Sequence, residues 1–431
     1  MNIEEMILEQ NDQWRLDFEI GGVKRKLFDS FVAQINTMAV FAVAGPRRAG
    51  KSFFMLQIIW HLISQKVPRE NILNINFEHP FFVSRNNVEI MPQILASYLE
   101  LKNPQGKIYV FLDEPQNIQS WEAFVRFNFD KNKNIKFFVT GSNSRLLSSE
   151  FSTKLTGRVF NFFLPLFNFA EFLDCFKINY EKEGELNQIV EKNFKQRNNL
   201  AHFADKFLAS GGFPEIYENL NPNAVSEYAR NYVRTVLYAD IVPRYRIRVP
   251  LLLENLFYQI ANNNGSYFSF NNLAKILGVS DLTVKQYLSY LEGSFLIKIL
   301  PQFSEKSKEQ LRRKMKIYLF DPVLKKPFFS RSFDDNARDV ENLILRHFDY
   351  RAKNFYLLQD SEIDFRSEKD GKVWLVNSCY SNQINPREYQ GFAEFENTAK
   401  AAQKIIISKN IYQKKPVLTV PLWAWLLSES F

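Results

Sequence analysis

Gly45-Pro46-Arg47-Arg48-Ala49-Gly50-Lys51-Ser52 is the stretch that decides the fold. It satisfies G-x-x-x-x-G-K-[ST]; the apolar run Met38–Ala44 precedes it, and the helical pattern Lys51–Gln65 follows. Gly45 and Gly50 let the backbone curl, so that its N–H groups surround phosphate oxygens at a helix N-terminus. Lys51 would reach the β- and γ-phosphates, and the Ser52 hydroxyl would ligate Mg²⁺. Gly45 through Phe53 (Pro46, Arg47, Arg48 and Ala49 included) form the candidate nucleotide-binding loop. A chance glycine turn before a helix is the plainer alternative.

A second motif answers the first. Ile108-Tyr-Val-Phe-Leu-Asp113-Glu114 is an apolar run that ends in two acids, 62 positions beyond Lys51. Carboxylates at the end of a buried strand are costly unless they meet charge. Asp113 would hold Mg²⁺, directly or through water, and Glu114 would polarise an attacking water as general base. A third strand runs into Phe138-Val-Thr-Gly-Ser142-Asn143-Ser144, where Ser142 and Asn143 are candidates to hold that water.

Outward from these motifs, strands and helices alternate. Met38–Gly45, Asn71–Glu78, Lys107–Glu114, Ile135–Ser142 and Arg158–Leu166 read as strands, with helices at Lys51–Gln65 and Ile90–Glu100. That alternation predicts an α/β core, a parallel sheet covered on both faces. After Pro165 the pattern turns helical (Glu171–Ile178, Ile189–Leu208, Val225–Ile241). Phe270–Gly278 and Leu282–Gly293 read as a helix-turn-helix with a wing strand at Phe295–Leu300, and strands and helices mix again from Lys314. The charged run Glu305–Lys316 reads as a linker. The expected divisions are a P-loop core at 1–165, a helical lid at 166–250, a winged-helix-like segment at 251–304 and an α+β domain at 305–431.

Composition removes several classes. The most apolar stretches, Met38–Ala44 and Pro421–Leu427, are far shorter than the roughly 20 residues that span a bilayer. No secretory signal is expected from Met-Asn-Ile-Glu-Glu-Met, and Cys175 and Cys379, the only cysteines, predict no disulfide framework, so the expected location is cytoplasmic. Four scattered histidines offer no metal-ligand spacing. The net charge of +8 permits an acidic partner without demanding one. It is concentrated in two places. Residues 301–331 hold nine Lys/Arg against three acids, and residues 229–248 hold five Arg against Asp240. Arg312, Arg313, Lys314 and Lys316 are the candidate nucleic-acid contacts, with a solvated charged face as the alternative.

The chain resembles the prokaryotic AAA-superfamily ATPases whose core is followed by a winged helix and an uncharacterised C-terminal domain. The resemblance rests on Gly45–Ser52, Phe111-Leu-Asp-Glu-Pro-Gln-Asn-Ile-Gln-Ser-Trp121 and Thr140-Gly-Ser-Asn-Ser-Arg-Leu-Leu147, with Leu155-Thr-Gly-Arg158, Pro165–Phe172 and Gly211-Gly-Phe-Pro214. It implies that the Asp113 strand lies beside the Ser142 strand, which lies beside the phosphate-loop strand. It also implies that Arg158 reaches γ-phosphate in cis or from a neighbouring subunit, and that Pro214 packs near the base. For the C-terminal region it implies a restriction-endonuclease-like core. There Glu341 and Asp364 stand, but Asn377 and Cys379 replace the Glu and Lys of Glu-x-Lys, so nuclease activity is not expected.

Three functions are consistent with this sequence. The first is Mg-ATP hydrolysis driving a conformational switch or the remodelling of a macromolecular partner. Its rivals are a DNA-associated ATPase and a nucleotide-binding scaffold that turns over negligibly. A recognition helix with only Lys285, Gln286 and Glu292 as long polar groups is poorly equipped for a major groove, so a protein partner through this segment or the C-terminal domain is expected instead. Oligomerisation is open.

Overall fold

A computed structural model describes residues 1–147, 153, 155, 157–306, 313–328, 336–396 and 402–429. The chain divides into two compact units, Met1–Leu166 and Phe167–Phe431.

The first unit is a five-stranded sheet in the order β2-β3-β4-β1-β5, every pair parallel. The strands are β1 (Val40–Ala44), β2 (Ile72–Asn76), β3 (Ile108–Asp113), β4 (Ile135–Gly141) and β5 (Val159–Phe163). Helices α1 (Ile3–Gln10), α2 (Leu27–Val32), α3 (Lys51–Ser64), α4 (Ile90–Lys102) and α5 (Trp121–Lys131) accompany them. Every residue of β1, β3 and β4 is buried. That is why these segments read as nearly continuous apolar runs rather than alternating ones: both faces are covered. On one face Met6, Leu73, Val110, Phe137 and Val139 pack with Ile94 and Trp121. On the other, Phe31, Phe41, Phe54, Phe111 and Phe138 pack with Ile58. Aromatic rings interlock on this face, with Phe31 edge-on to both Phe41 and Phe54, and Phe111 stacked on Phe138 at 4.5 Å. The order places β3 beside β4 and β4 beside β1, as the resemblance implied.

The second unit holds two sheets. A three-stranded antiparallel sheet has the order β6-β8-β7 (Tyr267–Phe268, Met315–Leu319, Ile297–Pro301). A five-stranded mixed sheet has the order β13-β12-β11-β10-β9. Its strands are Leu418–Pro421, Gln403–Ser408, Lys372–Cys379, Glu362–Lys369 and Lys353–Leu358. Helices Phe270–Leu277 and Asp281–Gly293, capped by the hydroxyls of Ser269 and Ser280, form the expected helix-turn-helix ahead of β7. The expected lid, wing and C-terminal segments are not insulated from one another. Phe172 and Phe207 share a core with Leu300, Tyr318, Ile344 and Trp425. The expected linker is only partly described, and its last residues, Met315 and Lys316, are buried in β8.

Candidate nucleotide site

The loop between β1 and α3 lies at the carboxyl edge of the parallel sheet, where open α/β folds present ligand sites. Its glycines are required by geometry. A Cβ on Gly45 would lie 2.1 Å from the Leu164 carbonyl oxygen, and Gly50 precedes α3 at φ +85°. The loop is braced from behind by Arg25, a buried residue of the segment before α2. Its guanidinium donates to the Ala49 carbonyl (2.6 Å) and to the Pro165 carbonyl (2.5 Å).

The side chains converge as the two motifs predicted. Lys51 is buried; its Nζ donates to the carbonyls of Gly45 (3.2 Å) and Pro46 (3.0 Å) and lies 3.3 Å from Glu114 Oε1. The Ser52 hydroxyl donates to Asp113 Oδ2 at 2.5 Å. Asp113 and Glu114 are 5% and 6% exposed, so their charges are balanced inside the protein and not by water. Burial, and next the Glu114 charge, push the Asp113 carboxyl up. Burial is the largest influence and pushes Glu114 up, but the Lys51 ammonium and the hydrogen bonds from Gln116 and Ser142 together outweigh it and hold Glu114 below the usual carboxylate range. The pair therefore splits, with Glu114 the firmly ionised member.

This donor set suits Mg²⁺. A hydroxyl and a carboxylate already touch beside the phosphate loop, both are hard oxygens, and Asp113 carries a buried charge that a divalent cation would satisfy.

Other predicted residues fall in different places. Ser142 lies beside Glu114, its backbone N–H donating to Oε2 at 3.0 Å and its hydroxyl also bonding that carboxylate. Asn143 is buried at the turn after β4. Arg47 pairs with Glu78 at the end of β2 (2.8 Å), and Phe53 is partly exposed against Gly22. Arg48 takes a left-handed conformation in the loop, φ +59°.

Arg158 is not brought to this site. Val159 pairs with Val40 at the start of both parallel strands, so Arg158 lies at the amino edge of the sheet, a full strand length from Gly45. Its guanidinium meets Asp130 of α5, and both are about half exposed. Reach to a phosphate in cis is therefore excluded. Arg158→Ala is expected to leave the activity of dilute protein unchanged within about twofold, since exposed ion pairs contribute little. A rate loss that grows with protein concentration would show a role in trans.

Pro214 belongs to the second unit, where it opens the turn Pro214–Glu218. The preceding glycines are held from within that unit. Gly212 N–H donates to Asp321 Oδ2 (2.9 Å), Asp321 also meets Arg346, and the Tyr217 hydroxyl donates to the Gly211 carbonyl (2.7 Å).

Of the four basic candidates, Arg312 lies outside the described residues, while Arg313 and Lys314 are exposed. Lys316 must be withdrawn as a nucleic-acid contact. It is 4% exposed, with Nζ 2.5 Å from Glu362, 3.7 Å from Asp364 and 3.9 Å from Glu341. Burial lowers its pKa, but Asp364, Glu341 and Glu362 outweigh burial and raise it. Asn377 does stand beside Asp364, its Oδ1 accepting the Asp364 N–H at 3.1 Å. Lys316 of β8 thus places its ammonium in the space between these carboxylates. Cleavage of DNA or RNA in Mg²⁺ or Mn²⁺ is accordingly not expected, and metal-dependent cutting lost in Asp364→Ala would overturn that.

The same cluster has a pH signature. Burial and Asp364 push Glu341 up to about 8, against the pull of Lys316. A carboxyl raised on folding contributes stability that is complete below its unfolded pKa, about 4.3, and is lost as pH rises through the folded value. The melting temperature is expected to fall between about pH 5 and 8. Glu341→Gln should remove much of that fall, raising the melting point at pH 8 by several degrees and leaving it little changed at pH 5. Parallel pH curves for the two proteins would contradict this.

Three functional neighbours were missed in the sequence. The Thr140 hydroxyl donates to Asp113 and accepts the Glu114 N–H (3.2 Å), and the Gln116 side-chain amide donates to Glu114. Thr140 stood in the quoted run. Parallel pairing of Leu112 with Val139 sets it next to Asp113, a register that no local pattern states. Arg25 had no signal at all.

A family model described as an AAA domain matches residues 37–173, and a domain of unknown function matches residues 202–328. An uncharacterised protein of Haemophilus influenzae is 24% identical over 395 residues, 89% of this chain and 92% of that one. AMPPCP-bound DnaA from Aquifex aeolicus aligns at 13% identity over 66% of this chain and 92% of that chain, with a TM-score of 0.27. An uncharacterised protein of Methanocaldococcus jannaschii is 30% identical over 411 residues, 90% of this chain and 88% of that one. The chain belongs to the family of that archaeal protein, with an AAA-type P-loop core as its first unit.

Proposed function

We propose that the first unit binds Mg-ATP on Gly45–Ser52 and hydrolyses it with Glu114 as general base, the cycle driving a conformational switch or the remodelling of a macromolecular partner. The observation that carries this reading is the junction of two sequence-distant motifs in one buried cluster, Ser52 on Asp113 and Lys51 beside Glu114.

The chemistry follows from who holds whom. Lys51 is engaged by Glu114 and two loop carbonyls. Phosphate oxygens entering the loop compete for the ammonium, and its transfer to them frees the Glu114 carboxylate to accept a proton from water. Ser142 N–H and Gln116 keep that carboxylate in place. Ser52 and Asp113 would hold Mg²⁺, which neutralises charge developing on the β- and γ-oxygens. A scaffold without turnover would have no use for an ionised, hydrogen-bonded Glu114 at this position, so hydrolysis is the favoured form.

The test is phosphate release by the full chain, in Mg²⁺ and in EDTA, with and without single- and double-stranded DNA. Mg²⁺-dependent release unaffected by DNA supports the reading. DNA stimulation would move the function to the DNA-associated alternative, and tight nucleotide binding without release would leave the scaffold.

A further inference from the structure

Arg25 lies 24 residues before the loop residue whose carbonyl it holds, in a segment outside the AAA-domain match. We propose that Arg25 is a positioning residue for nucleotide binding: it locks the Ala49–Gly50 peptide in the orientation that presents the Gly50 N–H to phosphate. The inference rests on the proposed nucleotide site.

In a trans peptide the C=O and the following N–H point in opposite directions. Arg25 Nη1 fixes the Ala49 C=O at 2.6 Å, which turns the Gly50 N–H away from the guanidinium and into the turn that Lys51 closes on Gly45 and Pro46. Without a lock, this peptide is the one most able to rotate. Glycine at 50 takes φ on either side of zero at little cost, and its observed value is +85°. A rotated peptide would aim the Ala49 carbonyl oxygen, an acceptor, at phosphate oxygens.

The lock is itself anchored. The second guanidinium nitrogen donates to Pro165 O at 2.5 Å, just beyond β5, whose neighbour Leu164 donates its N–H to the Ala44 carbonyl at 2.8 Å. The planar fork thus ties the loop carbonyl of Ala49 to the Pro165 carbonyl, whose neighbour Leu164 is held by β1. Lysine, a point charge on a flexible stem, could not hold both in one plane. Arg25 is 3% exposed, and its bond to the Ala49 carbonyl is buried away from water.

The contact acts on bound phosphate alike in the ground and transition states, so its loss is uniform binding loss: KM rises and kcat holds. The experiment measures Mg-ADP affinity by calorimetry and steady-state KM and kcat for ATP, on full-length wild type, Arg25→Gln and Arg25→Lys, each well below its melting temperature. Arg25→Gln is expected to lose at least about tenfold in ADP affinity and in KM, with kcat within about threefold, and Arg25→Lys to lose about threefold. Wild-type KM in Arg25→Gln, or a fall in kcat at unchanged KM, overturns the proposal. Should Arg25→Gln fail to fold, Arg25→Lys decides: an unchanged KM overturns it. A wild type that binds no ADP would overturn the nucleotide site and this inference together, whereas a wild type that binds with indifferent Arg25 variants sinks Arg25 alone.

Discussion

Glu114→Gln is expected to bind Mg-ATP as the wild type does and to turn it over about 10²–10⁴-fold more slowly, the range for removing a positioned general base. The substitution keeps the shape of the side chain, and its one acceptor oxygen can still take the hydrogen bonds of Ser142 N–H and Gln116, while the contact with Lys51 is given up to incoming phosphate. What goes is the ability to take a proton. Removing a buried negative charge also relieves Asp113, whose carboxyl is pushed up by burial and then by Glu114. ATP affinity should hold or improve. Single-turnover hydrolysis separates the two effects: trapped, intact ATP is the expected result. Hydrolysis near the wild-type rate would place the base elsewhere, with Glu78 at the end of β2 the next carboxylate to examine.

Lys51→Ala is expected to abolish measurable nucleotide binding. The loss exceeds one charge-assisted phosphate contact, which alone is worth about 1.5–3 kcal/mol. Lys51 also closes the loop on Gly45 and Pro46, and it is the cation that holds Glu114 in its ionised form. Its removal leaves a buried carboxylate without that partner, so Glu114 is expected to titrate higher. The sign can be checked. A carboxyl depressed on folding contributes stability present above its unfolded pKa and lost as pH falls through the folded value. In Lys51→Ala the depression is reduced, so the stability that Glu114 loses on acidification should be smaller than in the wild type and its loss complete at higher pH. Calorimetry with ATP and a pH series of melting curves test both halves. Wild-type affinity in the variant would remove the phosphate-loop assignment.

The features legible in sequence share a physical character. The phosphate loop and the Asp113-Glu114 strand are local: each is a contiguous run whose residue types have few other uses at that spacing. Strand count and parallel pairing also followed, because strands buried on both faces are mostly apolar. The illegible features are the ones that depend on register or on distant charge. Thr140 reaches Asp113 only because β3 and β4 pair as they do. Arg158 reads as an arginine near the site until the parallel register sends it to the opposite edge of the sheet. Lys316 sits in a run of charges that suggests water, yet its neighbours are carboxylates 25, 46 and 48 positions away. Arg25 is one basic residue among 55, and nothing local distinguishes an arginine that braces a loop from one that faces solvent.

The shared core of the second unit has a consequence for how that half of the protein melts. Leu300 and Tyr318 of the small antiparallel sheet, Phe172 and Phe207 of the early helices, and Trp425 near the end of the chain are all buried in one cluster. No part of it can open without uncovering aromatic surface on the others, so the early helices and the last strands stand or fall together in a single cooperative step. A chain ended at residue 304 would lose β8 and the C-terminal sheet and leave the faces of Phe172, Phe207 and Leu300 in water. Such a fragment would behave as a sticky, partly ordered intermediate, not as a smaller native domain.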